Sequence, residues 1–371
     1  MWHFSLERWI DGSTDTHRHP GDNLYFWQKS KQYLQLHQKF FLFTTTICLI
    51  LVVLSGIRFL QYYHILGSNG KPSYEFMVAK GCGIAINGLA MLLIMLMTRP
   101  LVTQVRISWW HSILPVDQHV QLHKYAGGLL FILASVHTLV HLLNIQKNLA
   151  GGQYHRWAIY NNVTYEKNMT FSFGQWLLST QPGMGGLFPG MANPTGVVLV
   201  LTCLVMGVGA HPKIRQSGHF ELFYWSHILY ILFFALLILH CRQAVYWLSG
   251  PLLLFLAGKI KMAKGWLDGR GKTYVICGTL LPSQVTQLSI KRPDKMHFRP
   301  GDWLFINVPT ISAYEWHPFT ISSAPEQKDF LTLHIRSLGG WTGKLHAYFR
   351  EESRLLRIGN VRSFMTILYT K

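Results

Sequence analysis

The sequence predicts a two-part fold: an α-helical membrane bundle of six transmembrane helices followed by a small β-barrel. Three observations carry it. Of the 371 residues, 49% are apolar and only 13% charged, a balance foreign to an ordinary soluble domain. Apolar runs long enough to cross lipid recur through the first two thirds of the chain, and past Lys272 they give way to short β-rich runs broken by Pro and Gly. Lysine and arginine total 34 against 16 acids, a net charge of +18 that suits a cytosolic face near anionic lipid or an anionic cofactor. Nucleic acid is excluded as a partner, because the basic residues are scattered between apolar runs with no base-reading motif. Five cysteines without a CxxC argue against a disulfide framework, an iron–sulfur cluster or a zinc site.

The first segment, 1–39, is polar and has no cleavable apolar core, so the first span serves as its own insertion signal. Spans are expected at 41–60, 78–97, 125–143, 195–210, 222–241 and 244–258, within a membrane domain of 40–264; the fourth and sixth are short. Placing Lys29, Lys31, Lys39, Arg99, Arg106, Lys124, Lys213, Arg215, Lys259, Lys261 and Lys264 inside puts both termini in the cytosol. The long loop 144–193 then faces outward with two glycosylation sequons, at Asn162 and Asn168. The final segment, 265–371, carries strand-like runs at 274–281, 285–291, 303–308 and 331–335 and a helical stretch at 341–356, with no further βαβ pattern or glycine-rich phosphate loop.

Ionisable residues inside a span are costly, which makes the membrane histidines the main chemical clue. His123 and His137 are fourteen residues apart, roughly 21 Å of helical rise with about 40° of net rotation, so they share a face. His227 and His240 are thirteen apart, which on an ideal helix turns the second about 140° from the first; a bend or bulge within 228–239 has to absorb that turn, and no Pro or Gly marks it. Two helices each offering two imidazoles are arranged to hold two stacked haems by bis-histidine ligation; interhelical hydrogen bonding and headgroup anchoring are the plainer alternatives. Beyond the outer pair, His141 follows His137 by one turn, and Arg58 lies near the outer end of the first span. A cation and an imidazole there would hold O2 or stabilise superoxide, against the alternative that Arg58 reaches for outer headgroups. Phe233, midway between His227 and His240, is either a ring between the haems or core packing.

The cytosolic region supplies longer motifs. The runs Arg299-Pro300-Gly301-Asp302-Trp303, His317-Pro318-Phe319-Thr320-Ile321-Ser322-Ser323-Ala324-Pro325 and His334-Ile335-Arg336-Ser337-Leu338-Gly339-Gly340-Trp341-Thr342 resemble the FAD domain of the NADPH oxidase family. The stretch Tyr314-Glu315-Trp316-His317, the continuation through Lys328, and the runs 78–83, 114–118 and 217–221 are most similar to its calcium-regulated branch. On its own, His317-Pro318-Phe319-Thr320 reads equally as a turn into a strand.

The resemblance implies a ferredoxin-reductase-type FAD-binding β-barrel, an inner haem b on His123 and His227, an outer haem b on His137 and His240, and an O2 site lined by Arg58 and His141. It implies that His317, Pro318, Phe319 and Thr320 contact the isoalloxazine and its ribityl chain, and that His334, Arg336, Gly339, Trp341 and Thr342 lie along the diphosphate. Arg336 can fork to phosphate oxygens, and Gly339 and Gly340 let backbone amides approach. The expected activity is that of an NAD(P)H oxidase, moving electrons from NADPH through FAD and two haems to O2 outside, in the plasma membrane. Two departures are expected: no EF-hand loop precedes the membrane region, and no NADPH-binding domain follows the barrel. Hydride entry would then need the missing domain from a fuller transcript or another chain, and the expected protein partners are a second copy in a homo-oligomer or a full-length oxidase. The rival readings are a ferric or cupric metalloreductase and a truncated non-catalytic haem-binding isoform; an outer acidic cluster would favour the reductase, and the outer loops offer only Glu75 and Glu166.

Overall fold

The computed structural model describes residues 22–67, 73–150, 172–178, 180, 185–216, 220–267, 272–293, 296–357 and 366–370. Both sequons and the tail before residue 22 lie outside the described residues. The helices are α1 (Asp22–Leu36), α2 (Gln38–Gly67), α3 (Tyr74–Met97), α4 (Arg99–Ile107), α5 (His119–Ala150), α6 (Phe173–Leu178), α7 (Ala192–Gly209), α8 (Pro212–Gln216), α9 (Phe220–Ile228), α10 (Tyr230–His240) and α11 (Arg242–Leu267), with α12 (Gly340–Arg357) in the barrel region. Among the described residues five stretches are long and apolar enough to cross a membrane: Gln38–Ile65, Tyr74–Met97, Val116–Lys147, Ala192–Gly209 and Phe220–His240. The sixth expected span forms α11, but it falls outside that group. Its apolar run is shorter than the roughly 20 residues a crossing needs, and Arg242, Lys259, Lys261 and Lys264 close it at both ends.

Helix α3 is the centre of the bundle, with Ala79, Leu89 and Ala90 almost wholly buried. Small residues on it allow close approach: the Ser55 hydroxyl of α2 donates to the Gly81 carbonyl at 3.0 Å. At its N-terminus the Ser73 hydroxyl caps α3 and lies 2.6 Å from Asn144 Oδ1, and Lys147 pairs with Glu75, which ties the start of α3 to the end of α5.

The thirteen-residue interval is resolved at Leu229. The helix breaks there, with ψ near −7°, and restarts as α10; Phe233 N–H donates to the Leu229 carbonyl at 2.8 Å. Leu229, at φ −59° and ψ near −7°, interrupts the regular helix without Pro or Gly, within the stretch where the thirteen-residue interval calls for a departure from ideal geometry.

The barrel region is one six-stranded antiparallel sheet in the order β4-β3-β6-β1-β2-β5, built from β1 (Lys272–Leu281), β2 (Val285–Lys291), β3 (Trp303–Asn307), β4 (His317–Thr320), β5 (Phe330–Arg336) and β6 (Thr366–Thr370). Four of these match expected runs, and α12 matches the expected helical stretch. Strand β6 was not expected: the five-residue run Thr366–Thr370 has no alternation long enough to signal itself, and its place comes from pairing on both sides, with β1 and β3. Leu288, Leu304, Ile306, Leu333 and Leu345 are at most 1% exposed and form the core between sheet and α12.

Candidate functional site

The four span histidines meet in two pairs. His123 of α5 faces His227 of α9 with ring centroids 6.1 Å apart, and His137 of α5 faces His240 of α10 at 6.2 Å, both close to perpendicular. Two imidazoles binding one metal atom from opposite sides, each at about 2 Å, have centroids about 6 Å apart. The spacing therefore fits an iron between each pair.

The outer pair is oriented for that role. His137 Nδ1 lies 2.8 Å from the Ala79 carbonyl; His240 Nδ1 lies 2.7 Å from the Ala192 carbonyl and 3.3 Å from Thr195 Oγ1. A proton held on Nδ1 by a carbonyl leaves Nε2 with its lone pair, the arrangement metal-bound imidazoles use. Gly196, one helical turn after Ala192, lets α7 come this close, since a Cβ there would sit 3.1 Å from His240 Cε1. The inner pair is held differently: Phe223 stacks on His227 at 5.2 Å, and among the described residues the Nδ1 atoms of His123 and His227 are both buried without a hydrogen bond. Between the pairs Phe233 is 6% exposed and packs with Leu130, Leu199 and Leu237.

Beyond the His137–His240 pair, Arg58 and His141 are connected through two rings rather than directly. Arg58 donates to Gln61 Oε1 at 2.9 Å and its guanidinium lies 5.4 Å from the Tyr62 ring; Tyr62 meets Phe76 edge-on at 5.5 Å, and Phe76 meets His141 at 6.3 Å. His141 sits 4.6 Å from His137. Lys80, which sequence reasoning left unassigned, lies over both rings, 4.8 Å from Phe76 and 5.6 Å from Tyr62. It stands one residue after Ala79, whose carbonyl holds His137, a relation that the sequence does not show.

In the barrel, His317, Phe319 and Trp341 converge: Trp341 lies 4.4 Å from His317 and 5.9 Å from Phe319, and its buried Nε1 has no hydrogen-bond partner. A planar aromatic ligand with acceptor atoms fits such a group. Strand alternation splits the expected set, because Pro318 and Thr320 face away from His317 and Phe319. His334 and Arg336 share the exposed face of β5, opposite Gln287 and Val285. Thr342 does not reach outward: its hydroxyl accepts from the Leu338 and Gly339 amides at 3.0 Å each, so Gly339 N–H is used in capping α12.

His317 Nε2 donates to the Glu315 carboxylate at 3.1 Å, which holds that carboxyl below the usual carboxylate range against the opposing effect of burial. A depressed carboxyl contributes in full above its ordinary value, and the contribution is lost as pH falls through the lowered folded value. The His317 orientation is therefore expected to survive mild acid and fail only below the ordinary carboxylate range. Glu315→Gln should weaken FAD binding by about fivefold, about 1 kcal/mol, at neutral pH; flavin fluorescence titration of the two proteins checks it.

Comparison with known proteins agrees with this division. The family described as ferric reductase like transmembrane component matches residues 82–238, and that described as FAD-binding domain matches residues 275–369. NADPH oxidase 5 from Homo sapiens is 39% identical over 308 residues, 83% of this chain and 38% of that protein. The heavy chain of the superoxide-generating NADPH oxidase from Dictyostelium discoideum is 26% identical, over 83% of this chain and 58% of its own length. Dual oxidase 2 from Homo sapiens is 27% identical over 87% of this chain and 21% of that protein. The chain thus spans between about a fifth and three fifths of these relatives.

Proposed function

A homologue of the NADPH oxidases that joins a ferric reductase-like membrane region to an FAD-binding domain, this chain is, we propose, the electron-transfer core of a superoxide-generating NAD(P)H oxidase. The observation that carries the proposal is the pair of 6.1 and 6.2 Å imidazole spacings, stacked along α5 roughly 21 Å apart. When bound, FAD accepts a two-electron hydride from NADPH and releases single electrons, which two b-type haems relay to O2.

The chain's own residues do the rest. His123 with His227 and His137 with His240 offer nitrogens to iron, and Ala79, Ala192 and Thr195 fix the outer imidazoles. Phe233 and its neighbours exclude water between the pairs. Lys80 and Arg58 set a cationic outer rim that favours an anion forming there, and His141 adds a neutral imidazole beside His137. The same rim disfavours a metal cation as acceptor, and Glu75, the acid expected at this end, is engaged by Lys147. His317, Phe319 and Trp341 cradle the isoalloxazine ring, and Arg336 with His334 faces the diphosphate near the start of α12. The setting proposed is the plasma membrane with both termini cytosolic, NADPH as donor, O2 as acceptor, and a second copy or a full-length oxidase as the protein partner.

The test uses purified chain loaded with haem, reduced by dithionite, desalted without oxygen and mixed with buffer containing O2. Haem should reoxidise with superoxide-dismutase-sensitive reduction of cytochrome c. Protein without haem overturns the proposal, and reoxidation by ferric or cupric chelates but not by O2 replaces it with a metalloreductase.

A further inference from the structure

We propose that Tyr314 is a positioning residue that sets the spacing between the flavin cradle and the inner imidazole pair, by stacking into the cytosolic end of α9. The inference rests on the reading that these two sites exchange electrons. Tyr314 stacks on Tyr224 with centroids 4.9 Å apart and planes 22° from parallel, and meets Trp225 edge-on at 5.5 Å. Tyr224 stands one helical turn before His227, and Tyr314 stands three residues before His317. A short step on each side therefore leads from this stack to an inner imidazole and to the flavin cradle.

A second contact fixes the same edge. The Arg99 guanidinium, at the start of α4, lies over Phe305 at 4.4 Å, and Phe305 is paired with Pro318 in the β3–β4 register. Strand β4 is the sheet's edge strand, so both contacts seize the edge that carries His317 and Phe319. Each contact is made by one ring or one cation against an aromatic partner. Tyr314 carries the larger share because it belongs to the segment that turns directly into β4. Its ring also leaves room for exchange with the hydroxyl-free analogue, since the contact is between ring faces.

The experiment compares wild type, Tyr314→Ala, Tyr314→Phe and, from the opposite side, Tyr224→Leu, each purified with haem and saturated with FAD. Hydrogen exchange is read for peptides covering 309–320 and 220–228, and the flavin-to-haem electron-transfer rate is read after photoreduction of the flavin. In Tyr314→Ala and Tyr224→Leu, exchange should rise in both segments and the rate should fall by roughly tenfold or more, with haem content and FAD affinity at wild-type level, because small displacements of reacting groups are costly. Tyr314→Phe should behave as wild type. Wild-type exchange and rate in both truncating variants overturn the proposal, and so does a fall in Tyr314→Phe equal to that in Tyr314→Ala. Wild type without haem counts against the proposed function, while the exchange data still decide whether Tyr314 holds the two parts together.

Discussion

Replacing His137 or His240 with alanine is expected to leave purified protein with one haem per chain in place of two, and with roughly half the low-spin Soret absorbance. The loss should be local. His137 and His240 face each other at 6.2 Å, while the inner pair belongs to a separate stretch of the same helices across Phe233 and Leu130. The partner imidazole left behind stays tied to its carbonyl, His240 to Ala192 or His137 to Ala79, so it keeps its place but offers iron a single axial nitrogen. Thr195→Val provides the contrast: it removes a 3.3 Å contact and leaves the 2.7 Å contact to Ala192, so it should cost about 1 kcal/mol of orientation and keep both haems. Haem quantification by pyridine haemochrome and the reduced optical spectrum read all three variants. Two haems in His240→Ala would remove these imidazoles from the site.

The helical spacing of the histidines made the pairing legible in sequence, because fourteen residues on a straight helix return to nearly the same face. The thirteen-residue interval was legible only as a problem. Its solution, a break at Leu229, involves an ordinary residue whose backbone departs from helix because the tertiary pairs require it, and no local propensity marks such a position. Lys80 and the carbonyls of Ala79 and Ala192 were invisible for a different reason. A carbonyl accepts regardless of side chain, and a lysine in an apolar run reads as a headgroup anchor until the rings around it are known. In the barrel, alternation marked β1, β2, β3 and β5, but the five-residue β6 owes its central place to distant partners. The cap in which the Thr342 hydroxyl accepts from the Leu338 and Gly339 amides is likewise not legible, because the same glycine-rich run reads only as an approach to a diphosphate.

Substituting Gly209 with valine should remove the inner haem and spare the outer one, the reverse of the outcome at His240. Gly209 ends α7 against α9, where a Cβ would fall 1.8 Å from Ser226 Oγ and 2.6 Å from Ser226 Cβ. No rotamer of serine clears both, so the helices must part. Ser226 immediately precedes His227, and moving it carries that imidazole away from His123. Overpacking of this kind costs about 1–3 kcal/mol, roughly 5- to 150-fold in an equilibrium. The outer imidazoles are expected to be spared, because His240 is held at the opposite end of α7 by Ala192 and Thr195. Gly250, where an added Cβ meets nothing within 4 Å, supplies the control: Gly250→Ala should retain both haems. Haem stoichiometry, combined with redox titration to distinguish the two centres, separates the cases. Equal loss of both haems in Gly209→Val would mean that α7 moves as one rigid body and that the two imidazole pairs are a single mechanical unit.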